Sequence, residues 1–429
     1  MLSHGGIASV EEARRLAAGT ALSGPAGGVA AAVALTRQGA DENLITFDMG
    51  GTSTDIALVQ SGKPILTGSR SVAEARIALP SLDIVTLGAG GGSIAHINRA
   101  GLLQVGPQSA GADPGPACYG AGGSTPTVTD ANLALGLLDP NNFLGGRRPL
   151  NLQAATTALT ELGTQLHLDP IQTAAGVRRL VNARMADGLR VATVRRGVDP
   201  RRFTLLAFGG AAGLHITEIA ATIGIPSVIV PQQAAVLSAW GMLNTNLRTE
   251  LMRSLSQAGP IDIQDFRRAC IEMEREGRTR LAWFQGEIQV RHSADMRYGE
   301  QVYELNVPLD NPNITAEALA EAFHQTHEAA FTYALRDRPP VLVNARTSVT
   351  GILPTQPTIT TQPEPATQSS RRIYLDTWHL VPVHRFASLT PNTKIQGPAI
   401  IESDTTTILL RPQDQAQLNP KGWLEITIS

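Results

Sequence analysis

The fold of this chain is decided by the stretch Leu44-Ile45-Thr46-Phe47-Asp48-Met49-Gly50-Gly51-Thr52-Ser53-Thr54-Asp55-Ile56-Ala57-Leu58-Val59. An apolar run ends in the acid Asp48, a turn of two glycines and three hydroxyl residues follows, and the acid Asp55 leads into a second apolar run. This order predicts a strand, a tight turn and a second strand. Consecutive amides at a glycine turn, beside hydroxyl groups, form a concave set of donors suited to phosphate. Asp48 would stand at the end of the first strand, where its carboxylate could hold Mg²⁺ against that phosphate.

Other phosphate-binding motifs do not fit this turn. A Walker loop contains a lysine and opens a helix, and the dinucleotide fingerprint also needs a helix after its glycines. Here a strand is predicted after the glycines, and the turn contains no lysine. The alternative that remains open is a β-hairpin whose polar turn binds nothing.

Composition limits the class of protein. The chain has 429 residues, of which 42% are hydrophobic, and a formal net charge of -2. This length predicts about two to three domains, and the near-neutral charge gives no electrostatic case for binding nucleic acid or an anionic membrane. The two cysteines lie far apart, and no signal peptide or membrane-spanning run is recognisable. We therefore expect a soluble cytoplasmic protein without a disulfide framework.

Two further glycine-rich turns follow apolar runs. Residues 88–93 separate two short apolar segments, which predicts another strand, loop and strand. The apolar run 203–208 precedes the glycine loop 209–213, a short predicted helix and the apolar segment 227–231. Units of this kind bind ligands at the carboxyl ends of their strands. We therefore expect the second glycine loop to lie beside the tip of the predicted hairpin, in one cleft.

The character of the sequence changes along the chain and predicts three parts. Residues 1–250 would form a glycine-rich α/β lobe, residues 251–353 an α+β domain, and residues 371–429 a small β-rich module. Residues 354–370 are rich in Pro, Thr and Gln, which is typical of an exposed linker.

Four blocks of sequence together resemble one protein family. They are residues 23–29, residues 47–55, residues 88–94 with 105–120, and residues 208–215. On these blocks the chain resembles the ATP-dependent A subunit of the hydantoinase/5-oxoprolinase family, which includes the β subunit of acetone carboxylase. The resemblance is strong over residues 1 to about 250 and weaker over the remainder.

The resemblance implies a fold and a set of roles. The family is similar in fold to actin, sugar kinases and chaperone ATPases, whose ribonuclease H-like α/β lobes clamp ATP between glycine-rich turns. A smaller α+β C-terminal region would follow the lobe. Residues 48–55 would be the phosphate loop, residues 209–211 the adenosine-side loop, and the small-residue helices near Gly27 and Gly241 the connectors between lobes.

By this resemblance the cofactors are ATP and Mg²⁺ (or Mn²⁺). Asp48 and Asp55 are the predicted catalytic residues, and Asp48 is the predicted metal ligand. The predicted cofactor-binding residues are Gly50, Gly51, Thr52, Ser53, Thr54, Gly90, Gly91, Gly209, Gly210 and Ala211.

The implied activity is ATP-dependent activation of a small cyclic amide, such as hydantoin, 5-oxoproline or another lactam, by phosphoryl transfer before ring opening. The implied partner is a hydantoinase B-like subunit, and an oligomer is expected. Two alternatives stay open. The chain could instead activate a ketone or bicarbonate, as an acetone carboxylase β subunit would, or it could be a non-catalytic lobe that serves as a binding scaffold.

Two departures from the family pattern bear on activity. The family begins with an N-terminal lobe that carries its own Asp-x-Gly-Gly-Thr loop, and no such loop precedes Gly24 here. We therefore expect that lobe to be separately encoded or lost. We also expect little ATP hydrolysis by this chain alone, because the phosphoryl group would be held from one side only. The family's Gly-Gly-Ala-Gly-Pro-Leu-His block has Ala212 and Gly213 in place of glycine and proline, which we expect to weaken nucleotide affinity.

Single polar residues leave alternatives open. His324 and His327 lie three apart and would share a helix face. They could bind a metal, but the absence of a recognisable third ligand favours a solvated face. His215 could serve the site or the core, and Asp113 and Asp130 could orient substrate or cap turns.

Overall fold

The structure, a computed structural model, describes residues 1–67, 70–72, 75–77, 81–255, 261–299, 301, 304–354, 364–365 and 369–429. Its α-helices are α1 (Val10–Arg15), α2 (Ser23–Arg37), α3 (Val128–Ala134), α4 (Leu152–Leu166), α5 (Pro170–Ala192), α6 (Ile216–Ile223), α7 (Leu237–Leu243), α8 (Ile263–Arg280) and α9 (Ala316–Phe331). Short 3₁₀ turns lie at Ala17–Thr20, Ala117–Tyr119, Val194–Arg196, Pro200–Arg202, Ala212–Leu214, Ala234–Val236 and Phe386–Ser388.

The strands are β1 (Leu44–Met49), β2 (Thr54–Gln60), β3 (Lys63–Pro64), β4 (Leu66–Thr67), β5 (Arg70–Val72), β6 (Ala75–Ile77), β7 (Ser81–Leu82), β8 (Ile84–Leu87), β9 (Ser93–Ile97), β10 (Leu103–Ser109), β11 (Thr204–Phe208), β12 (Ser227–Pro231), β13 (Leu247–Ser254), β14 (Ile288–Tyr298), β15 (Leu305–Leu309), β16 (Pro340–Gly351), β17 (Ser369–Leu375), β18 (Thr377–Arg385), β19 (Lys394–Gln396), β20 (Ala399–Glu402), β21 (Thr407–Leu410), β22 (Gln415–Leu418) and β23 (Trp423–Thr427). No α-helix among the described residues is long and apolar enough to cross a membrane.

The largest sheet is mixed and runs in the order β19-β22-β23-β12-β11-β1-β2-β3, with β8 also paired to β2. Strands β1, β11 and β12 are parallel, whereas β2 is antiparallel to β1. The α/β class predicted from the sequence is confirmed.

The central strand β1 is buried on both faces. Leu44, Ile45, Phe47 and Met49 have no exposed surface, although successive side chains of a strand point to opposite faces. Helix α2 packs on β1 and β2, and helix α5 packs on β2 and β8. This explains why the sequence reads as a continuous apolar run rather than as an alternation of apolar and polar residues.

A second, separate core lies in the middle of the chain. Strands β13-β16-β14-β15 form a four-stranded sheet, and helices α8 and α9 pack on it. Phe266, Met273, Met296, Tyr298 and Phe323 are among the buried residues of this core. The α+β character expected of this segment is found, while the exact domain limits at 250 and 353 stay predictions.

The C-terminal segment is β-rich, as predicted, but it shares its core with the first lobe. Strands β17-β18-β20-β21 form a small sheet, while β23 pairs antiparallel with β12 and so extends the main sheet. Ile400, Leu409 and Trp423 pack in the same hydrophobic cluster as Phe47. The expected linker at 354–370 lies mostly outside the described residues.

Helices α2 and α7 pack against each other at glycines. A methyl group placed on Gly241 would lie 2.0 Å from the carbonyl oxygen of Gly27. Only glycine allows two helix backbones to approach so closely. The two small-residue helices therefore pack directly on each other, while their expected role as connectors between lobes stays a prediction.

Candidate functional site

The predicted hairpin is confirmed. Strands β1 and β2 pair antiparallel from Leu44 with Val59 to Met49 with Thr54. The amide of Gly50 donates to the carbonyl oxygen of Ser53 at 3.0 Å and closes the turn. Within the described part of the chain, the amides of residues 51–53 have no hydrogen-bond acceptor. The tip of the hairpin therefore presents consecutive free donors, which is the arrangement that phosphate requires.

The glycine loop at residues 88–93 is hydrogen-bonded to this turn. The amides of Gly91 and Gly92 donate to the carbonyl oxygens of Gly50 and Gly51, at 3.0 and 2.6 Å. The amide of Gly90 donates to the Ser93 hydroxyl at 2.8 Å. The amides of Gly90 and Gly91 are thus occupied within the protein. This loop supports the hairpin turn, and it does not offer these two amides to a ligand.

The third glycine loop meets the end of β1. Gly209 has φ +84, and a methyl group on it would lie 2.4 Å from the Met49 carbonyl oxygen and 2.6 Å from Asp48 Oδ1. The amide of Ala211 donates to the same Met49 oxygen at 3.1 Å. The predicted neighbourhood of the hairpin tip and the Gly209 turn is therefore confirmed, and glycine is required there by both contact and conformation.

Two carboxylates stand opposite each other beside these turns. Asp48 of β1 and Asp55 of β2 are directly paired in register, so their side chains share one face of the sheet. Ser238 donates to Asp48 Oδ2 at 3.3 Å, and Thr86 donates to Asp55 Oδ1 at 2.5 Å. Burial, reinforced by the negative charge of Asp55, raises the pKa of Asp48 from 3.8 to about 6. A cation at this position would relieve both effects.

This acidic pair is not a complete protein-only metal centre. The described residues contain no group of three or more His, Cys, Asp or Glu side chains placed to hold a metal ion. Mg²⁺ usually takes only one or two protein carboxylates and completes its shell with phosphate oxygens and water. The oxygen donors of Asp48 and Asp55 fit that pattern.

A cavity of about 160 Å³ opens next to the glycine turns. Its lining comprises Gly50, Gly51, Gly91, Tyr119, Thr129, Asn132, Leu138, Asp139, Asn142, Phe143, Leu144, Gly210, Ala211, Leu214, Glu402, Ser403, Asp404, Thr405, Thr406 and Thr407. Five of the predicted cofactor-binding glycine-loop residues therefore meet at one cavity, and the loop after β20 forms another of its walls.

Other predicted residues lie outside that lining. Thr52 and Ser53 belong to the turn, and Asp48 and Asp55 lie beside it on the strands. The prediction that the Thr54 hydroxyl binds phosphate is wrong, because Thr54 is fully buried and donates to the Ala89 carbonyl oxygen at 2.6 Å. At the first position of β2 its side chain faces the core.

The two departures in the adenosine-side block do not narrow the cavity. Ala212 is 1% exposed and packs in the hydrophobic core. Gly213 touches the backbone of the C-terminal segment, where a methyl group would lie 2.4 Å from the Thr407 carbonyl oxygen. Neither residue lines the cavity, so the structure offers no steric reason for the weakened affinity expected from the sequence.

Acidic residues in the cavity wall are paired with arginines that sequence reasoning missed. Arg371 donates to Asp139 at 3.1 Å and to Glu402 at 2.9 Å. Arg385 donates to Asp404 at 2.7 Å. No local motif marks these residues, because they come together only through the packing of the C-terminal strands on the first lobe.

His215 is a structural residue. It is completely buried, with Nδ1 2.6 Å from Asn182 Oδ1 and Nε2 3.2 Å from Asn132 Nδ2. Burial, and then the nearby Arg178, lowers the pKa of His215 well below its usual value. The ring is therefore neutral, with Nδ1 donating to Asn182 and Nε2 accepting from Asn132.

Asp130 is also structural. Its buried carboxylate accepts hydrogen bonds from the amides of Ala117, Cys118 and Thr127 and from the Thr127 hydroxyl. It thereby caps helix α3 and ties down the preceding loop, as the turn-capping alternative requires. Asp113 is exposed and does not line the cavity.

The favoured interpretation of His324 and His327 as a solvated helix face is wrong. Both are buried beside Tyr298. Tyr298 contacts His324 Nδ1 at 2.6 Å, and the Tyr333 carbonyl oxygen lies 2.8 Å from His327 Nδ1. The pair completes an aromatic core, and no metal group includes it among the described residues.

The chain is similar in sequence to known proteins. The sequence profile of the hydantoinase/oxoprolinase family matches residues 1–251, and that of the hydantoinase/oxoprolinase C-terminal domain matches residues 267–426. Caprolactamase subunit alpha of Pseudomonas jessenii is 38% identical, over 99% of this chain and 64% of that subunit.

Two solved structures share the fold. The crystal structure of ATP-dependent caprolactamase from Pseudomonas jessenii matches with a TM-score of 0.82 at 36% identity, over 99% of this chain and 64% of that one. The nucleotide-free structure of acetone carboxylase matches with a TM-score of 0.82 at 26% identity, over 100% and 64%. This chain thus spans 64% of the length of these proteins. On the family profile that covers more than half of its residues, the chain belongs to the hydantoinase/oxoprolinase family.

Proposed function

We propose that this chain supplies one nucleotide-binding lobe of an ATP-dependent enzyme that activates a cyclic amide by phosphoryl transfer. The observation that carries the proposal is that the hairpin turn with its free amides and the turn at residues 209–211 meet at one cavity, with the Asp48–Asp55 pair beside them on the strands. The relative named ATP-dependent caprolactamase supports both the use of ATP and a lactam as the substrate class.

In this proposal the amides of residues 51–53 donate to phosphate oxygens, with the Thr52 and Ser53 hydroxyls beside them. Asp48, opposite Asp55, holds Mg²⁺ directly or through water. When bound, the metal would neutralise charge on the phosphates. Gly209 leaves room for the Asp48 carboxylate, and Ser238 orients it. The chain's task is to position the phosphoryl group, which is the main demand of this chemistry.

The finer fold assignment is also part of the proposal. The hairpin of β1 and β2 belongs to a mixed sheet in which β11 and β12 run parallel to β1. Glycine turns at the ends of β1 and β11 face each other. This supports an actin-like or sugar-kinase-like lobe, with Gly209, Gly210 and Ala211 on the adenosine side.

Full activity would need further protein. The hairpin turn contacts phosphate from one side, so a second lobe must close the other side and exclude water. That lobe could belong to the same polypeptide or to another. The relatives named as subunits support a heteromeric assembly, and we propose a hydantoinase B-like subunit as the partner that opens the activated ring.

A second candidate, activation of a ketone or bicarbonate, is supported by the equal TM-score of 0.82 to acetone carboxylase. The phosphate chemistry required of this lobe is the same in both cases. The two candidates therefore differ in the acceptor of the phosphoryl group and not in the roles proposed for Asp48 and the turn.

The test is titration calorimetry of this chain with Mg·ATP, followed by phosphate release in a reconstituted complex. Caprolactam, 5-oxoproline, hydantoin, and acetone with bicarbonate would be compared as stimulants. We expect weak Mg·ATP binding by the chain, further weakened in Asp48→Asn and unchanged in Asp310→Asn, an exposed acid in the middle domain. Equal binding by native protein and Asp48→Asn would remove Asp48 from the site, and no Mg·ATP binding would reject the proposal.

A further inference from the structure

A second cavity, of about 360 Å³, lies between strand β10 and helix α5. Its lining comprises residues 103–107 of β10 together with Leu180 and Arg184 of α5. None of these residues lines the cavity beside the hairpin turn. The second cavity is therefore separate from the site of the proposed function, and its own lining determines what it can bind.

The strand wall of this second cavity contains a β-bulge. Strand β10 pairs with β9 up to Val105 and again at Ser109, and the register shifts between these two residues. Gly106 has φ +66, and a methyl group on it would lie 2.7 Å from the Gly88 carbonyl oxygen, so glycine is required there. Bulges of this kind change the direction of the groups that a strand presents. Here the Val105 carbonyl oxygen is available to a side chain of α5.

The guanidinium group of Arg184 is oriented by that carbonyl oxygen. Nη1 of Arg184 donates to the Val105 oxygen at 2.6 Å. Nε and Nη2 make no hydrogen bond to any residue that the structure describes, and neither atom is sealed off from solvent. These two atoms carry the parallel N–H groups that match the two oxygens of a carboxylate. The edge of the guanidinium that suits a carboxylate is thus both oriented and accessible.

No acid in the described part of the chain occupies that edge. On the same helix, Arg178 pairs with Glu218 and Arg190 pairs with Asp187. Arg184, which is half-buried, forms no ion pair with a described residue. Charges that are withdrawn from water are usually paired, because the loss of hydration is otherwise uncompensated. An anion that enters the cavity would supply the missing partner.

The remaining wall favours an anion with an apolar body. Leu103, Val105 and Pro107 line the cavity from the strand side. Leu180 lines it from the helix side and is 40% exposed although it is apolar. A hydrocarbon chain that covers Leu180 would remove apolar surface from water. Inorganic phosphate would gain nothing from these contacts and would leave several of its oxygens against apolar groups.

We propose that the second cavity binds a small organic carboxylate with a short apolar chain. The two carboxylate oxygens accept from Nε and Nη2 of Arg184, and the chain packs on Leu103 and Leu180. The site shares no lining residue with the cavity beside the hairpin turn. It is therefore a further binding site, and it does not rest on the proposed function.

The test is a titration of the full chain with sodium hexanoate, followed by saturation-transfer NMR. Hexanamide is the neutral probe of the same shape, and inorganic phosphate is the anion without an apolar chain. We expect hexanamide to bind about tenfold more weakly than hexanoate, because the charge-assisted pair is lost, and phosphate to bind more weakly as well. Butyrate should have a Kd about fourfold higher for each CH₂ group that no longer enters the cavity. Absence of saturable hexanoate binding, or equal or tighter binding of hexanamide or phosphate, would overturn the proposal.

Arg184→Met tests the guanidinium, because methionine keeps an extended side chain and removes the charge and the N–H groups. The Kd for hexanoate should rise about tenfold or more. Arg179→Met is the matched control, since Arg179 is an exposed arginine of the same helix outside the cavity lining. This control should keep the native Kd. An equal loss of binding in both variants would show that only net charge matters and would overturn the site.

Two further variants cover the case in which Arg184→Met does not fold. Leu180→Ser changes an exposed position, so it should keep the native melting temperature, raise the Kd for hexanoate and leave the Kd for acetate unchanged. Arg184→Lys keeps the charge but lacks the two parallel N–H groups, so it should retain only part of the affinity. Native hexanoate affinity in both variants would reject the site. Such a result would leave the proposed function intact, because that function is tested separately with Mg·ATP and Asp48→Asn.

Discussion

Replacing Asp48 by Asn should make the protein more stable at neutral pH and less active. The substitution keeps the shape of the side chain and the contact with Ser238. It removes a charge that lies partly buried, opposite Asp55 and against the backbone of Gly209. A residue that only stabilised the fold would give the opposite change in stability.

The size of the change in stability follows from the pKa of Asp48, which is raised from 3.8 to about 6 in the folded protein. The pKa of Asp48 is higher in the folded state than in the unfolded state, so the folded state binds the proton more tightly. Proton binding therefore stabilises the folded state, and this stabilisation is fully present below pH 3.8. It is lost as the pH rises through about 6. At 1.36 kcal/mol for each pKa unit, the loss amounts to about 3 kcal/mol at most, and solvent screening of the partly exposed carboxylate lowers it to about 1–3 kcal/mol.

The assay is urea denaturation of native protein and Asp48→Asn at pH 5 and pH 8. The stability advantage of the variant should be about 0.5–1.4 kcal/mol larger at pH 8 than at pH 5, because the carboxyl of the unfolded chain is already ionised at pH 5 and part of the loss has occurred by then. Asp310→Asn, at an exposed position, should show no such change between the two pH values. In a complex that uses ATP, Asp48→Asn should lower turnover about 100-fold, or about 2.7 kcal/mol. An advantage that is equal at both pH values, or larger at pH 5, would refute the assignment of burial and Asp55 as the cause.

Three further substitutions test the architecture of the site. Gly241→Ala should lower the free energy of unfolding by about 1–3 kcal/mol or more in thermal denaturation, because its methyl group would lie 2.0 Å from the Gly27 carbonyl oxygen, and a native melting temperature would contradict the helix contact. Thr54→Val should cost about 1 kcal/mol of stability through loss of the hydrogen bond to Ala89 while leaving the Kd for Mg·ATP unchanged, so a weakened Kd would restore Thr54 to the site. Arg371→Met should destabilise the fold by about 2 kcal/mol or more, because it leaves two acids of the cavity wall without their cation, and unaltered urea denaturation would show that those acids need no pairing.

The hairpin and the glycine turns could be predicted because their signals are local. Each apolar run is long enough for one strand, and glycines punctuate the runs where the chain must turn. The proximity of Gly50 and Gly210 could also be predicted, because both residues lie in loops that follow strands of one α/β sheet, and such loops meet at the carboxyl edge of the sheet. The sequence prediction assigned Thr54 to the turn, but Thr54 is the first residue of β2. Because successive side chains of a strand point to opposite faces, the Thr54 hydroxyl lies in the core.

The remaining part of the site depends on contacts between distant segments. Helical spacing correctly placed His324 and His327 on one face of α9, but nothing in that spacing shows that Tyr298 of β14 covers the face. The same limit applies to Asn132 and Thr406, which are distant in sequence and line one cavity through the packing of the C-terminal strands on the first lobe.

Because β23 pairs with β12, the C-terminal segment is part of the first lobe rather than a separate module. A module that only followed the lobe could vary without consequence for the site, whereas here Glu402 at the end of β20 and the loop after it line the cavity of about 160 Å³ together with the glycine turns. The amides of residues 51–53 in the hairpin turn are free to donate within the described part of the chain, whereas three acids of the cavity wall, Asp139, Glu402 and Asp404, are held by Arg371 and Arg385. The C-terminal strands therefore form part of the wall of this cavity. If the cavity binds the ligand of the proposed function, changes in the loop after β20 should alter that binding as well as the stability of the fold.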